Sequence, residues 1–256
     1  MLRLAIRKLL SRVRNAHADD YNAMHVKRAA SYCDPEGSRI LVVGCNRGGD
    51  CRHFIELGAA EVHGLDVIED VGCDFQHGRA AYHRMSAEDM GLPSDYYDLV
   101  YCFATMEHIP RIDAAFREMA RVTRPGGYVY CVASPLWNSR NGHHKRDLFP
   151  DDPWIHLRMT KDEIVAHGTA RGVNPAPGLV HHVSFMLNEK YFNKVPARRY
   201  VEVCESLPNM TPVLNSLDRE PEDAIPAGIL VELSAKGYTS EELRAVTHTY
   251  VGKKIA

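Results

Sequence analysis

From Arg39 onward, short apolar runs alternate with stretches whose apolar residues recur every three or four positions. Ile40 to Val43 is a β-branched run that stops at Gly44, and residues 48–57 follow with helical spacing, with Gly58 placed as a C-cap. Val62 to Leu65 reads as a second strand ending in Asp66, residues 80–85 as a third, and Asp98 to Ala104 as a buried fourth. Residues 112–122 place Ile112, Ala115, Phe116, Met119 and Val122 on one helical face; Pro125-Gly126-Gly127 is a turn, and Tyr128 to Ala133 a fifth strand. Further on, Thr160-x-x-Glu163 and Thr239-x-x-Glu242 are capping boxes that open helices. Residues 178–185 and Ile229 to Leu233 read as strands, 218–228 as a polar loop, and Val246 to Ile255 as the last strand; residues 189–218 carry no strong pattern. Strands alternating with helices predict an α/β fold, a doubly wound, Rossmann-like, mostly parallel sheet. Ligands of such sheets bind at the carboxyl ends of the strands.

The chain of 256 residues is 45% hydrophobic and 25% charged, which excludes wholesale disorder, collagen-like repeats and a coiled coil. A net charge of −2 gives no bulk attraction for polyanions, so no nucleic-acid partner is expected. No apolar run approaches the roughly 20 residues of a membrane span. The first 14 residues carry Arg3, Arg7, Lys8, Arg12 and Arg14 and no acid, with Leu2, Ile6, Leu9, Leu10 and Val13 at helical spacing. This N-terminal amphipathic helix either docks on its own domain or makes peripheral contact with an anionic membrane surface. The expected organisation is an arm over residues 1–30 and a single domain over 31–256, divided into a ligand half (39–134) and an acceptor and C-terminal half (135–256). Seven cysteines, an odd number with no C-x-x-C spacing, fit buried reduced thiols and a cytoplasmic setting, extending to the inner membrane face if the arm binds lipid.

Candidate chemistry begins at the first strand-to-helix turn, GCNRGGD over residues 44–50. Glycines there let a ligand approach the backbone at a helix N-terminus, and any side chain at Gly44 or Gly48 is expected to crowd it. Asp66, 22 residues after Gly44, is placed to accept both hydroxyls of a ribose. Together these features point to a nucleoside ligand.

Residues 40–134 resemble the class I S-adenosylmethionine-dependent methyltransferases. ILVVGCNRGG resembles the family's first motif, SAEDMGLPSDYYDLVYC over 86–102 its adenine-edge segment and fourth strand, and EHIPRIDAAFREMARVTRPGGYVY over 107–130 the stretch leading into strand five. The resemblance implies S-adenosyl-L-methionine as cofactor, an antiparallel last strand, and cofactor contacts from Gly44, Asn46, Gly48, Asp66 and Val67. It implies further contacts from Ser86, Ala87, Glu88 and Cys102. Three positions depart from the family pattern: Asn46 replaces the middle glycine, Val42 an acid two residues before Gly44, and Ser86 an adenine-binding Asp. Asn tolerates left-handed backbone angles, so the turn can survive.

After strand five, residues 134–159 are rich in loop formers and hold Trp137, Trp154, His143, His144 and His156. Such a lid-like insertion suits an acceptor pocket, with flat aromatic faces for a sugar ring, or is a packed structural loop. Its W-N-S-x-x-G-H-H segment resembles methyltransferases associated with bacterial surface polysaccharides. His143 and His144 are the expected proton acceptors, with His108 their rival at the end of strand four and Glu107 held in structural hydrogen bonds. Adjacent His side chains rarely reach one ion, so no metal is expected. The expected activity is O-methylation of a saccharide or glycan-precursor hydroxyl. The alternatives are methylation of a lipid-like or isoprenoid small molecule, or a non-catalytic cofactor-binding relative. No oligomeric state follows.

Overall fold

The computed structural model describes residues 21–255, and the amphipathic segment expected at residues 1–14 lies outside them. Seven strands form one sheet in the order β3-β2-β1-β4-β5-β7-β6. They are β1 (Arg39–Val43), β2 (Glu61–Asp66), β3 (Ala80–Arg84), β4 (Tyr97–Phe103), β5 (Thr123–Ala133), β6 (Met210–Arg219) and β7 (Ala245–Lys254). Strands β1 to β5 pair in parallel, and β7 runs antiparallel to both β5 and β6. The strand order reverses direction at β1, which opens a crevice between the ends of β1 and β4.

Period-two alternation sends successive strand residues to opposite faces. Ile40 and Val42 pack on one side against Val26 and Ala29 of a helix, α1, that runs through residues 21–30, and against Cys51 and Phe54 of α2 (Gly49–Glu56). Leu41 and Val43 pack on the other, in a cluster with Phe116 and Met119 of α3 (Ile112–Val122). Each such aromatic or aliphatic side chain contributes about 1.5–3 kcal/mol by leaving water, so the two faces dominate the fold's stability. The C-terminal half adds four helices between β5 and β6, α4 (Ile155–Arg158), α5 (Lys161–Ala170), α6 (Leu179–Met186) and α7 (Ala197–Glu205), and then α8 (Ala227–Ala235) and α9 (Ser240–Arg244). Two smaller cores hold this half together, one around Trp137, Trp154 and Leu233, the other around Phe149, Ile164 and Val183.

The sequence reading of residues 39–134 matches these elements closely, with one refinement. Thr123 pairs with Tyr97 and Tyr128 with Leu99, so Arg124 to Gly127 bulge out within β5 opposite Asp98. A Cβ on Gly127 would stand 2.8 Å from the Asp98 carbonyl, which is why this bulge needs glycine. The capping box at Thr160 and Glu163 is complete, with the Thr160 hydroxyl accepting the Glu163 amide and the Glu163 carboxylate accepting the Thr160 amide. At Thr239 the hydroxyl accepts the Glu242 amide, but the Glu242 carboxylate accepts from Asn138 and the Ala197 amide instead, so the expected second box is only half formed.

Beyond β5 two expected strands are helices. In 178–185 the buried residues are Leu179 and Val183, with Met186 just beyond, a four-then-three spacing that belongs to a helix, α6. The apolar run at 229–233 lies inside α8, which Pro226 opens and of whose residues only Leu233 is buried. Short apolar runs cannot be told apart by periodicity, and packing decided both. The uninterpreted segment 189–218 contains α7 and β6. An edge position lets β6 tolerate Pro212, whose missing N–H would break an interior strand.

Candidate active site

A cavity of about 1040 Å³ opens at the carboxyl ends of β1, β2 and β4. Its floor is the turn after β1. Amides of Gly44 and Cys45 donate to the Leu65 carbonyl, Asn46 adopts a left-handed φ of 48°, and the Gly48 amide donates back to Cys45. Asn46 therefore holds the left-handed turn that the sequence allowed it. Asp66 closes the next strand on the cavity rim. Its Oδ2 accepts the Asn46 amide at 2.9 Å and its Oδ1 the Val67 amide at 2.7 Å, so the carboxylate is aimed by the backbone and keeps lone pairs for ribose hydroxyls. Ser86, Ala87 and Glu88 border the cavity after β3, where Glu88 holds the Arg111 amide and guanidinium.

Of the expected cofactor residues, Gly44, Asn46, Asp66, Val67, Ser86, Ala87 and Glu88 line this cavity, whereas Gly48 and Cys102 do not. Cys102 points into the α3-side core, because alternation along β4 puts it one residue short of the rim that Phe103 and Ala104 form. Gly48 turns its α-carbon toward Tyr82, whose hydroxyl would stand 2.7 Å from an added Cβ. Gly44 likewise faces a neighbour, Thr105, so both glycines answer to intramolecular packing before any ligand. Gly49 has open space where a side chain would be and does border the cavity.

Several wall residues carried no signal in the sequence reading. Arg47 reaches across to Asp74 with a bidentate pair at 2.7 and 2.8 Å and clamps the loop after β2 over the glycine turn. Asn22 on α1 borders the cavity and donates to Asp50, while His25 stacks on Phe103 and bonds Tyr130. The outer rim holds Ile109, Pro110, Phe185, Lys190 and Tyr191. These walls come from segments as far apart in the chain as Asn22 and Tyr191, beyond the range of any local motif.

The three expected acceptor-side histidines part company. His143 is 0% exposed, accepts the Lys145 amide at Nδ1 and packs on His156; burial drives its pKa down to about 4. Sealed from the cavity, it is not placed as a proton acceptor. His144 donates from Nε2 to the Pro135 carbonyl and faces a separate small pocket, and burial lowers it to about 4 as well. His108 alone borders the main cavity. Its Nδ1 is bonded to the Tyr191 carbonyl, which leaves Nε2 with the lone pair, and burial lowers its pKa so that it is neutral. Trp154 is 0% exposed, with its indole N–H on the Asn138 carbonyl, and Trp137 and His156 are also buried. The aromatic loop is thus a packed structural element rather than an open sugar platform.

Glu107 is a further correction. It is 2% exposed, and no hydrogen bond of normal geometry reaches either carboxyl oxygen. Burial raises its pKa to about 8, although the amides of Glu107 itself and Ser134 partly offset the shift. Among the described residues, Glu107, His108 and His144 bring one donor atom each within 4.8 Å of one another, so these three could hold a metal.

Comparison with known proteins agrees with this geometry. Residues 41–131 match the family described as Methyltransferase domain. A fatty-acid O-methyltransferase of Mycolicibacterium smegmatis is 32% identical over 200 residues, 73% of this chain and 71% of that protein. A ubiquinone biosynthesis O-methyltransferase of Hydrogenovibrio crunogenus is 29% identical over 117 residues, 43% of this chain and 48% of that protein, so this chain spans about half of that relative. An S-adenosylmethionine-dependent methyltransferase from Mesorhizobium loti shares the fold, with a TM-score of 0.52 at 15% identity over 86% of this chain and 93% of that one. A rim carboxylate for ribose, open space at Gly49 and a pocket at the strand-order reversal suit S-adenosylmethionine. Because the 32% identity spans most of both proteins, the chain belongs to the class I S-adenosylmethionine-dependent methyltransferases.

Proposed function

We propose that this methyltransferase acts on an oxygen of a lipid-like acceptor, an apolar chain or isoprenoid carrying a carboxyl or hydroxyl head. The observation that carries this reading is the outer rim, where Ile109, Pro110, Phe185 and Tyr191 offer an apolar wall and Lys190 a cation for an acidic head. The similarity to a fatty-acid and a ubiquinone-pathway O-methyltransferase supports it. A saccharide acceptor loses its main support, since Trp137 and Trp154 are buried.

When bound, S-adenosylmethionine supplies a methyl group already activated on a sulfonium. The protein's task is then to hold the acceptor oxygen in line with that methyl and to exclude water. Asp66 and the turn at 44–49 fix the nucleoside end, and α1 and the outer rim cover the cavity. At the rim the neutral His108 imidazole, oriented by the Tyr191 carbonyl, meets the acceptor oxygen through Nε2. The basic amphipathic pattern of residues 1–14 would bring the enzyme to an anionic bilayer that holds such acceptors.

The test is methyl transfer from radiolabelled cofactor by the full chain to parallel panels of long-chain fatty acids, polyprenyl phenols and oligosaccharides. Label extracted into organic solvent from the first two panels is the expected result. Label confined to the saccharide panel overturns the reading.

A further inference from the structure

We propose that Glu107, His108 and His144 form a binding site for one borderline divalent cation of the zinc type. The three donor atoms lie within 4.8 Å of one another, although they come from the turn after β4 and the loop after β5. Ligand atoms around a four-coordinate zinc stand about 3.3 Å apart, so modest side-chain rotation would close the set.

Two independent observations point to a ligand. The first is the Glu107 carboxyl, buried with no hydrogen bond of normal geometry at either oxygen. Such a group costs free energy in the fold unless something fills its lone pairs, and buried charges are paired or bind metals. The second is how the imidazoles are held. His108 is bonded through Nδ1 to the Tyr191 carbonyl, and His144 through Nε2 to the Pro135 carbonyl at 3.1 Å. Each ring therefore keeps its other nitrogen as a fixed lone pair, the outer-shell arrangement found behind most metal-binding histidines. The rings meet edge to face at 5.1 Å.

The donor set also selects the ion. Two imidazole nitrogens with one carboxylate suit zinc and its first-row neighbours, whereas calcium and magnesium take oxygen ligands. Three protein ligands leave a fourth position open. His108 borders the main cavity, so that position is accessible from the acceptor side. A bound ion would take the His108 Nε2 lone pair, so the part given above to the bare imidazole belongs to the ion-free protein. The cation site itself does not depend on the acceptor class, so its failure leaves the lipid reading standing, and the reverse also holds.

The experiment is calorimetric titration of the chelator-treated full chain with Zn²⁺ alone, and visible absorption spectroscopy with Co²⁺ alone. One-to-one binding and the absorption of a four- or five-coordinate cobalt centre are expected. Glu107→Gln and His144→Ala should each weaken Zn²⁺ binding at least tenfold, while His181→Ala, at an exposed imidazole, should not. Should either variant be poorly folded by circular dichroism, His144→Asn serves as a milder replacement. Absence of stoichiometric binding overturns the proposal, and so does parent-like affinity in both Glu107→Gln and His144→Ala.

Discussion

Gly44→Ala separates two reasons for a glycine in the first turn, packing within the protein and approach of the cofactor. Gly44 has a φ of +73°, and a Cβ built on it would stand 2.6 Å from the Thr105 Cβ, with both branches of that threonine closer still. A left-handed backbone costs a non-glycine residue about 1–2 kcal/mol. Overpacking a rigid site costs about 1–3 kcal/mol more. Thr105 cannot swing away freely, because its hydroxyl donates to the Phe103 carbonyl at 3.0 Å. The expected loss is therefore about 2–5 kcal/mol, a large share of the roughly 5–15 kcal/mol that holds a domain together. Urea unfolding of the cofactor-free protein measures it. Adding Thr105→Gly removes all three offending atoms, so a double-mutant cycle should return the steric share and leave the backbone share. If Gly44→Ala unfolds at the parent urea concentration but no longer binds cofactor, the intramolecular account is refuted and the ligand alone demands the glycine.

Asp66→Ala should weaken cofactor binding by about 1–3 kcal/mol, the scale of hydrogen bonds to a charged group, and calorimetry that finds parent affinity would remove Asp66 from the site. Trp154→Ala should cost about 3–5 kcal/mol of stability, because the side chain is fully buried; a variant of parent stability that has lost acceptor turnover would restore the loop as an acceptor platform. His248 is buried on β7, bonded to Asn215, and desolvation lowers its pKa from 6.5 to about 3. The unfolded chain then takes up a proton between about pH 6.5 and pH 3 that the folded chain refuses, so stability is complete above that window and falls as pH drops through it. At pH 4.5 the loss from this one group is about 2–3 kcal/mol, and His248→Gln should flatten that part of the pH–stability curve.

The order of elements from β1 to β5 was legible in the chain because local chemistry specifies it. Gly58 ends α2, the apolar stripe from Ile112 to Val122 bounds α3, and an Asn stands where a left-handed turn can use one. The place of Asp66 on the cavity rim was legible for the same reason: it ends the second strand, whose carboxyl end faces the crevice. Local pattern failed where packing chose between equals. The runs at 178–185 and 229–233 suit a strand or a helix, and the buried partners of Val183 and Leu233 made them helices. The acceptor side failed for another reason. His108, His143 and His144 are alike as residues, and what separates them is distance from the cavity, set by how the loop after β5 folds over Trp154 and meets the turn after β4. Nothing near Glu107 in the chain announces that its carboxyl is buried, with no hydrogen bond of normal geometry, beside two fixed imidazoles. Hydrophobic period and turn chemistry act over a few residues and so can be read from the sequence. Burial, desolvation and the meeting of side chains from distant segments exist only once the chain has closed on itself.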